Sequence, residues 1–163
     1  GYLPMSAVMV GDRVANRLIA DGGEFYHGFT YSGHPVSAAV ALANLDIIER
    51  ENLVERVRDD TGPYFAAAVA SLANHRLVGE VRSFGLLAAI ELVKSKDGPV
   101  MFEDTGTVGS MCRDHAIADG LMMRAVRDAM ILSPALTYSH QDIDETVRIA
   151  RAALDATAAD LGL

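Results

Sequence analysis

His27-Gly28-Phe29-Thr30-Tyr31-Ser32-Gly33-His34-Pro35 runs directly into an alanine-rich stretch, Val36 to Arg50, and the way these two segments meet decides how the chain is organised. From Glu24 to Gly33 the residues are aromatic and punctuated by glycine, with neither helical nor strand periodicity, which predicts a loop. Pro35 suits a first helical turn, and Val36, Val40, Ala43 and Ile47 then share one face of a helix expected to be buried. Four of the ten Phe and Tyr residues fall between Glu24 and Pro35, together with His27, Thr30, Ser32 and His34. Two readings of that density stand side by side. The loop is either pinned to the core by its aromatic rings, or it lines a ligand or subunit contact in which a Thr hydroxyl and glycine-permitted amides donate to a phosphate oxygen. His34 is expected to brace the turn before Pro35 rather than act as an acid or base.

Upstream, Met5 to Val10 is a short apolar run closed by Gly11, read as a buried strand. Asp12 is expected to cap a helix bearing Val14, Leu18 and Ile19 and ending at Asp21-Gly22-Gly23. Downstream, a helical stretch from Leu53 to about Asn74 is broken or kinked at Gly62-Pro63. Strands are expected over Leu77 to Arg82 and Leu86 to Val93, separated by a bend at Ser83-Phe84-Gly85 and followed by a solvated turn, Lys94 to Pro99. A helix from Thr107 to Ala118 stops at Gly120, and Leu121 to Ala125 and Met130 to Leu132 read as a second strand pair. Ser139 and Asp142 make a capping-box start for a last helix, with Ile143, Val147, Ala150 and Leu154 at helical spacing out to about Asp160. This order implies an α/β layer that follows the end of a different domain.

Composition narrows the functional classes. The 163 residues are half hydrophobic and 22% charged, ordinary for a globular domain, and nowhere do some 18 apolar residues run together as a membrane span requires. No signal peptide is read at the start, and the opening Gly1-Tyr2-Leu3-Pro4-Met5 is read as a cut through a longer protein. A net charge of −8, with 12 Arg scattered along the chain, argues against nucleic acid and for small molecules or proteins as partners. The single Cys112 permits no internal disulfide, so a reducing compartment such as the cytoplasm is expected. Histidines 27, 34, 75, 115 and 140 form no metal-ligand spacing, so no metal is expected, and Asp59-Asp60 reads as a solvated face. Arg124 lies beside a strand-like run four residues before Asp128, and the residues alone read it as a surface ion pair with that carboxylate.

Taken together, several stretches resemble the class III aminotransferases, in particular the amine:pyruvate (omega) transaminases. They are His27 to Pro35 with its alanine-rich helix, Gly1-Tyr2-Leu3-Pro4-Met5-Ser6-Ala7-Val8, Asp59 to Tyr64, Phe84 to Ala89, Leu121 to Ala125 and Leu132 to Leu136. The resemblance implies the C-terminal part of a fold-type I α/β transferase dependent on pyridoxal 5'-phosphate (PLP). Residues 1–48 would end the PLP-binding large domain and residues 49–163 would form the small C-terminal α/β domain. It also implies a homodimer whose site is shared across the interface, with Thr30 contacting the PLP phosphate of the neighbouring subunit and Phe29 lining the substrate entrance. Arg124 would bind the substrate carboxylate, although Arg127 stands where the family usually carries glycine. Only Lys94 and Lys96 occur, both in a polar turn, so the resemblance puts the Schiff-base lysine upstream and leaves this stretch without a catalytic residue of its own. The implied reaction exchanges an amino group between an amine or omega-amino acid and an alpha-keto acid such as pyruvate. A class III relative acting on acetylornithine, 4-aminobutyrate or a diamine, or a non-catalytic module retaining the fold, are the alternatives.

Overall fold

A computed structural model describes residues 3–98 and 100–163, so Gly1, Tyr2 and the Pro99 end of the expected polar turn lie outside the described residues. The chain divides into two compact units, Gly1–Glu51 and Asn52–Leu163.

The first unit holds two helices. Helix α1 (Asp12–Asp21) has Gly11 as its N-cap, so Asp12 stands inside the first turn instead of capping it. There its charge still complements the helix dipole. Gly23, at φ +63°, carries the backbone out of α1 in the left-handed conformation glycine tolerates best. Helix α2 (Pro35–Arg50) begins on the expected proline, and its N-cap is His34, whose Nδ1 accepts the Ser37 amide at 3.4 Å. Two expectations fail here. Met5 to Val10 forms no strand, because a strand exists only through a ladder and no described neighbour offers one. Nor is α2 buried: no residue of α1 or α2 is, and Val36, Val40 and Ile47 are all exposed. The apolar face read from the sequence is real but has nothing within its own unit to cover it.

The second unit has a core. Helix α3 (Leu53–Arg56) passes through a single π turn, Val57–Thr61, into α4 (Gly62–Ala70), which ends in a 3₁₀ turn, Ser71–Asn74. The break predicted at Gly62-Pro63 therefore takes the form of a π turn immediately before it, with proline in the first turn of the new helix where its missing N–H is harmless. Strands β1 (Val78–Phe84) and β2 (Leu87–Leu92) pair as an antiparallel hairpin. Of its two loop residues only Gly85 has positive φ, +56°, the pattern of a type II′ turn. Helix α5 (Thr107–Ala118) follows, then β3 (Arg124–Val126) and β4 (Ala129–Leu132), a second hairpin that starts three residues later than expected. The sheet order is β1-β2-β4-β3, all antiparallel. Helix α6 (His140–Asp160) opens with the anticipated capping box, the Asp142 amide donating to Ser139 Oγ and the Ser139 amide to Asp142 Oδ2.

Period-two alternation sorts the sheet into a covered and an open face. Ala88, Ile90, Leu92, Met130 and Leu132 point to one side and are buried against α4, α5 and α6, which contribute Phe65, Val69, Cys112, Ile143 and Leu154. Burying each large side chain of this set stabilises the unit by roughly 1.5–3 kcal/mol. The opposite face has no such cover within the unit.

Candidate functional site

The loop ahead of α2 is organised by its own short-range bonds. Ser32 donates its amide to the Phe29 carbonyl at 2.9 Å and accepts the Phe29 amide on Oγ at 3.0 Å, which closes a turn with Thr30 and Tyr31 at its centre. Gly33 leaves that turn at φ +71°. Ser32 Oγ is thus committed to the backbone, while the Thr30 hydroxyl takes part in no hydrogen bond among the described residues and faces solvent. Phe25, His27 and Phe29 form a ladder of rings with centroids 5.7 and 5.6 Å apart. Phe25, Tyr26, Phe29 and Tyr31 are each more than two-thirds exposed, which rules out the reading of a loop pinned to the core of its own unit. Tyr26 donates its hydroxyl to Glu24 at 2.6 Å, and that hydrogen bond holds its pKa above the ordinary phenol value. His34 is a helix cap, as expected from its place before Pro35.

In the other unit, Arg124 sits on the open face of the sheet. The register pairs Arg124 with Ile131, Ile131 with Ala89, and Ala89 with Arg82, so one cross-strand row has an arginine at each end and two apolar residues between. A hollow of about 290 Å³ opens over the Arg82 end of this row, lined among others by Arg82, Phe84, Leu87, Ala89 and Ile131, and Arg124 stands outside its lining. The two arginines differ in their engagements. Arg82 is tied to Glu80 and to Glu91, the latter at 3.2 Å, whereas Arg124 makes no salt bridge or side-chain hydrogen bond among the described residues. A free guanidinium at the edge of an apolar row is a suitable receptor for a carboxylate, because its fork meets both oxygens at once.

The ion pair between Arg124 and Asp128 does not form. Asp128 is 2% exposed and faces the start of α5, where Oδ2 accepts the Gly106 amide and Oδ1 the Gly109 amide, both at 2.9 Å. Arg127 precedes it in the two-residue loop between β3 and β4, at φ +55°. That left-handed conformation favours glycine over a residue with a Cβ. The buried role of Asp128 was missed in the sequence, and the glycines at 106 and 109 were its only signal.

Other titratable groups have structural partners. Lys94 Nζ meets Glu103 at 3.5 Å and Lys96 Nζ donates to the Ala73 carbonyl at 2.6 Å, so neither lysine is placed for covalent chemistry. Asp59 is held by Arg58, which keeps its carboxyl below the usual range, while Asp60 meets His140 Nε2 at 2.8 Å; the two carboxylates share nothing. Cys112 is buried, and burial pushes its thiol up to about 11, which makes it inert at neutral pH. Among the described residues no group of three potential ligands could hold a metal ion, and no helix is long and apolar enough to cross a membrane.

Comparison with known proteins gives a consistent result. The family model for Aminotransferase class-III matches residues 1–154. Putrescine--pyruvate aminotransferase of Pseudomonas aeruginosa is 51% identical over 159 residues, covering 98% of this chain and 34% of that protein. Gamma aminobutyrate transaminase 1, mitochondrial, of Solanum lycopersicum is 33% identical, covering 96% and 31%. Among solved structures, the omega transaminase from Pseudomonas jessenii in complex with PMP superposes with a TM-score of 0.81 at 38% identity, over 91% of this chain and 32% of that one. The chain therefore spans about a third of the length of the curated relatives it matches.

Proposed function

The chain belongs to the class III aminotransferases, of PLP fold-type I, and on that premise we propose that the whole protein transfers an amino group from an amine to an alpha-keto acid, with pyruvate as acceptor. The observation that carries this reading is the 51% identity, along almost the entire chain, to a protein named for putrescine and pyruvate. A diamine of that kind is the proposed donor. The family's cofactor is PLP, which when bound supplies the electron sink for the transfer.

The described residues fit one part of such a site. Thr30 offers a hydroxyl uncommitted among the described residues, on a turn already closed by Ser32, and its proposed role is to donate to a phosphate oxygen. Phe29, beside it and exposed, lines the substrate entrance in this proposal. Arg124, on the open sheet face and unpaired among the described residues, receives the carboxylate of the keto acid. The covalent link to the cofactor is assigned to a lysine outside this sequence, since Lys94 and Lys96 are occupied elsewhere. Residues 1–48 are proposed to close the PLP-binding large domain and residues 49–163 to form the small domain. A homodimer is proposed as well, supported by the exposed Phe25, Tyr26 and Tyr31 and by the uncovered Val14 and Ile19. The lone buried thiol supports a cytoplasmic location.

The test is reconstitution of the full-length protein with PLP, followed by measurement of alanine formed from pyruvate and putrescine. Absence of alanine with every amine offered refutes the reading. Thr30→Val adds a sharper criterion. Loss of one hydrogen bond to a charged group, worth about 1.5–3 kcal/mol, is expected to weaken PLP binding about 10- to 150-fold. The fold is expected to be unaffected, because the hydroxyl has no partner within the described residues. An unchanged PLP dissociation constant removes Thr30 from the site.

A further inference from the structure

We infer that Asp128 is a positioning residue for Arg124, acting by clamping the tip of the β3–β4 hairpin onto the first turn of α5. The inference rests on the proposed role of Arg124 as the carboxylate receptor.

Helix α5 starts without a cap of its own. Its N-cap residue is Gly106, at φ +95°, and glycine has no side chain with which to accept the free amides of the first turn. Those amides are instead taken by a carboxylate from a distant strand connection. Asp128 accepts the N-cap amide of Gly106 and the third-position amide of Gly109, the two groups that a capping box satisfies with two separate residues. The helix dipole strengthens both bonds, and burial of the carboxylate shields them from salt and water. Space allows the approach only because Gly109 is glycine: a Cβ there would collide with the Arg127 carbonyl oxygen. A third bond, from the Leu92 amide to the Asp128 carbonyl, holds the same residue to the end of β2.

Arg124 depends on this clamp because β3 is short and lies at the sheet edge. It has three residues, its sole strand partner among the described residues is β4, and the two are joined by the two-residue loop Arg127-Asp128. An edge strand held along one side frays unless its loop is fixed elsewhere. With the tip pinned to α5, β3 has a fixed place, and Arg124 starts from a constant backbone position opposite Ile131. Geometry of that kind matters where a fork must meet a planar carboxylate.

The experiment uses the full-length holoenzyme and compares two half-reactions in the stopped flow: amino transfer from putrescine, which has no carboxylate, and amino transfer to pyruvate, which has one. Asp128→Asn keeps the shape of the side chain but presents an amide group to one of the two N–H donors, so one bond is lost. Gly109→Ala disturbs the same contact from the helix side with the carboxylate intact. Both variants are expected to lower the second-order constant for pyruvate about tenfold while the putrescine half-reaction stays within about twofold. Equal losses in both half-reactions, or no loss in either, overturn the positioning role, since a residue that merely supports the fold has no reason to distinguish the substrates. Arg124→Ala, run in parallel, separates this from failure of the underlying reading. If Arg124→Ala is selective against pyruvate and the two clamp variants are not, the inference alone falls. If Arg124→Ala is not selective, the carboxylate assignment falls and takes the inference with it.

Discussion

Replacing Arg127 by glycine is expected to stabilise the protein, although it removes a side chain from the surface. Position 127 holds φ +55° in a loop of two residues, where no slack exists to relax the backbone. A residue with a Cβ in this left-handed region is strained by roughly 1–2 kcal/mol. Glycine removes that strain but gives back about 0.5–1 kcal/mol through the greater freedom of the unfolded chain. Taken at the middle of these ranges the net gain is about 0.5–1 kcal/mol, read as a rise of about 1–4 °C in the thermal midpoint. Arg127 makes no salt bridge among the described residues, so removing its charge subtracts little. Arg127→Ala provides the control: it discards the same guanidinium while keeping the Cβ, and its midpoint is expected to match the parent. Slower amide exchange at Gly106 and Gly109 in Arg127→Gly would place the gain at the hairpin tip. A fall in stability for Arg127→Gly, or an equal rise for Arg127→Ala, refutes the backbone account. The same pair bears on function, because Arg127→Gly is expected to leave the pyruvate half-reaction unchanged if Arg124 is the carboxylate receptor.

Two other predictions concern α6 and the junction ahead of β1. Ser139→Ala deletes the oxygen that accepts the Asp142 amide and is expected to cost about 1 kcal/mol in denaturant unfolding, whereas Ser139→Asp is expected to restore most of it. His75 is buried, accepts the Leu77 amide on Nδ1 at 3.2 Å and sets Nε2 3.2 Å from Asp155. Desolvation lowers its pKa below the ordinary imidazole value, against the upward pull of Asp155 and with a smaller push down from Arg151 and Lys96. The folded state thus prefers the neutral ring. Its contribution to stability is complete above about pH 6.5, the unfolded value, and is lost as the pH falls through the lower folded value. Unfolding free energies between pH 5 and 7.5 are expected to decline more steeply toward acid in the parent than in His75→Asn, and parallel profiles would refute this.

Elements specified by neighbouring residues were legible in the sequence, and those specified by distant contacts were not. The capping box at Ser139 and Asp142 and the periodic Ile143, Val147, Ala150 and Leu154 locate α6, because every partner lies within four residues. Gly85 similarly marks its hairpin. Met5 to Val10 misled because an apolar run records only that a segment is to be covered, and a strand additionally requires a partner for its ladder. The same limit applies to α2, whose apolar face is correctly read and yet exposed within its unit. At the candidate site, His34 was legible as a cap since Ser37 is three residues away, whereas the partners of Asp128 lie 19 and 22 residues upstream. Nothing local distinguishes a carboxylate that caps a remote helix from one that pairs with the nearest arginine.

Register links the clamp to the side of the sheet on which the arginine appears. Arg124 faces the open side because it pairs with Ile131, while Ala125 pairs with the buried Met130. A slip of one residue along β4 would exchange these orientations and drive a guanidinium into the apolar layer beneath the helices, a state too costly to persist unpaired. The same slip would move Asp128 out of the loop and strand the amides of Gly106 and Gly109 without an acceptor. Both penalties oppose the same error, so the register is held from two sides. Loss of the carboxylate alone leaves the first penalty in force, and Asp128→Asn is therefore expected to loosen the tip without reversing the strand. Inserting one residue between Val126 and Asp128 lengthens the loop but likewise leaves the first penalty in force, so Arg124 is expected to keep its face while the contact to Gly106 and Gly109 weakens, read as faster amide exchange at those two glycines.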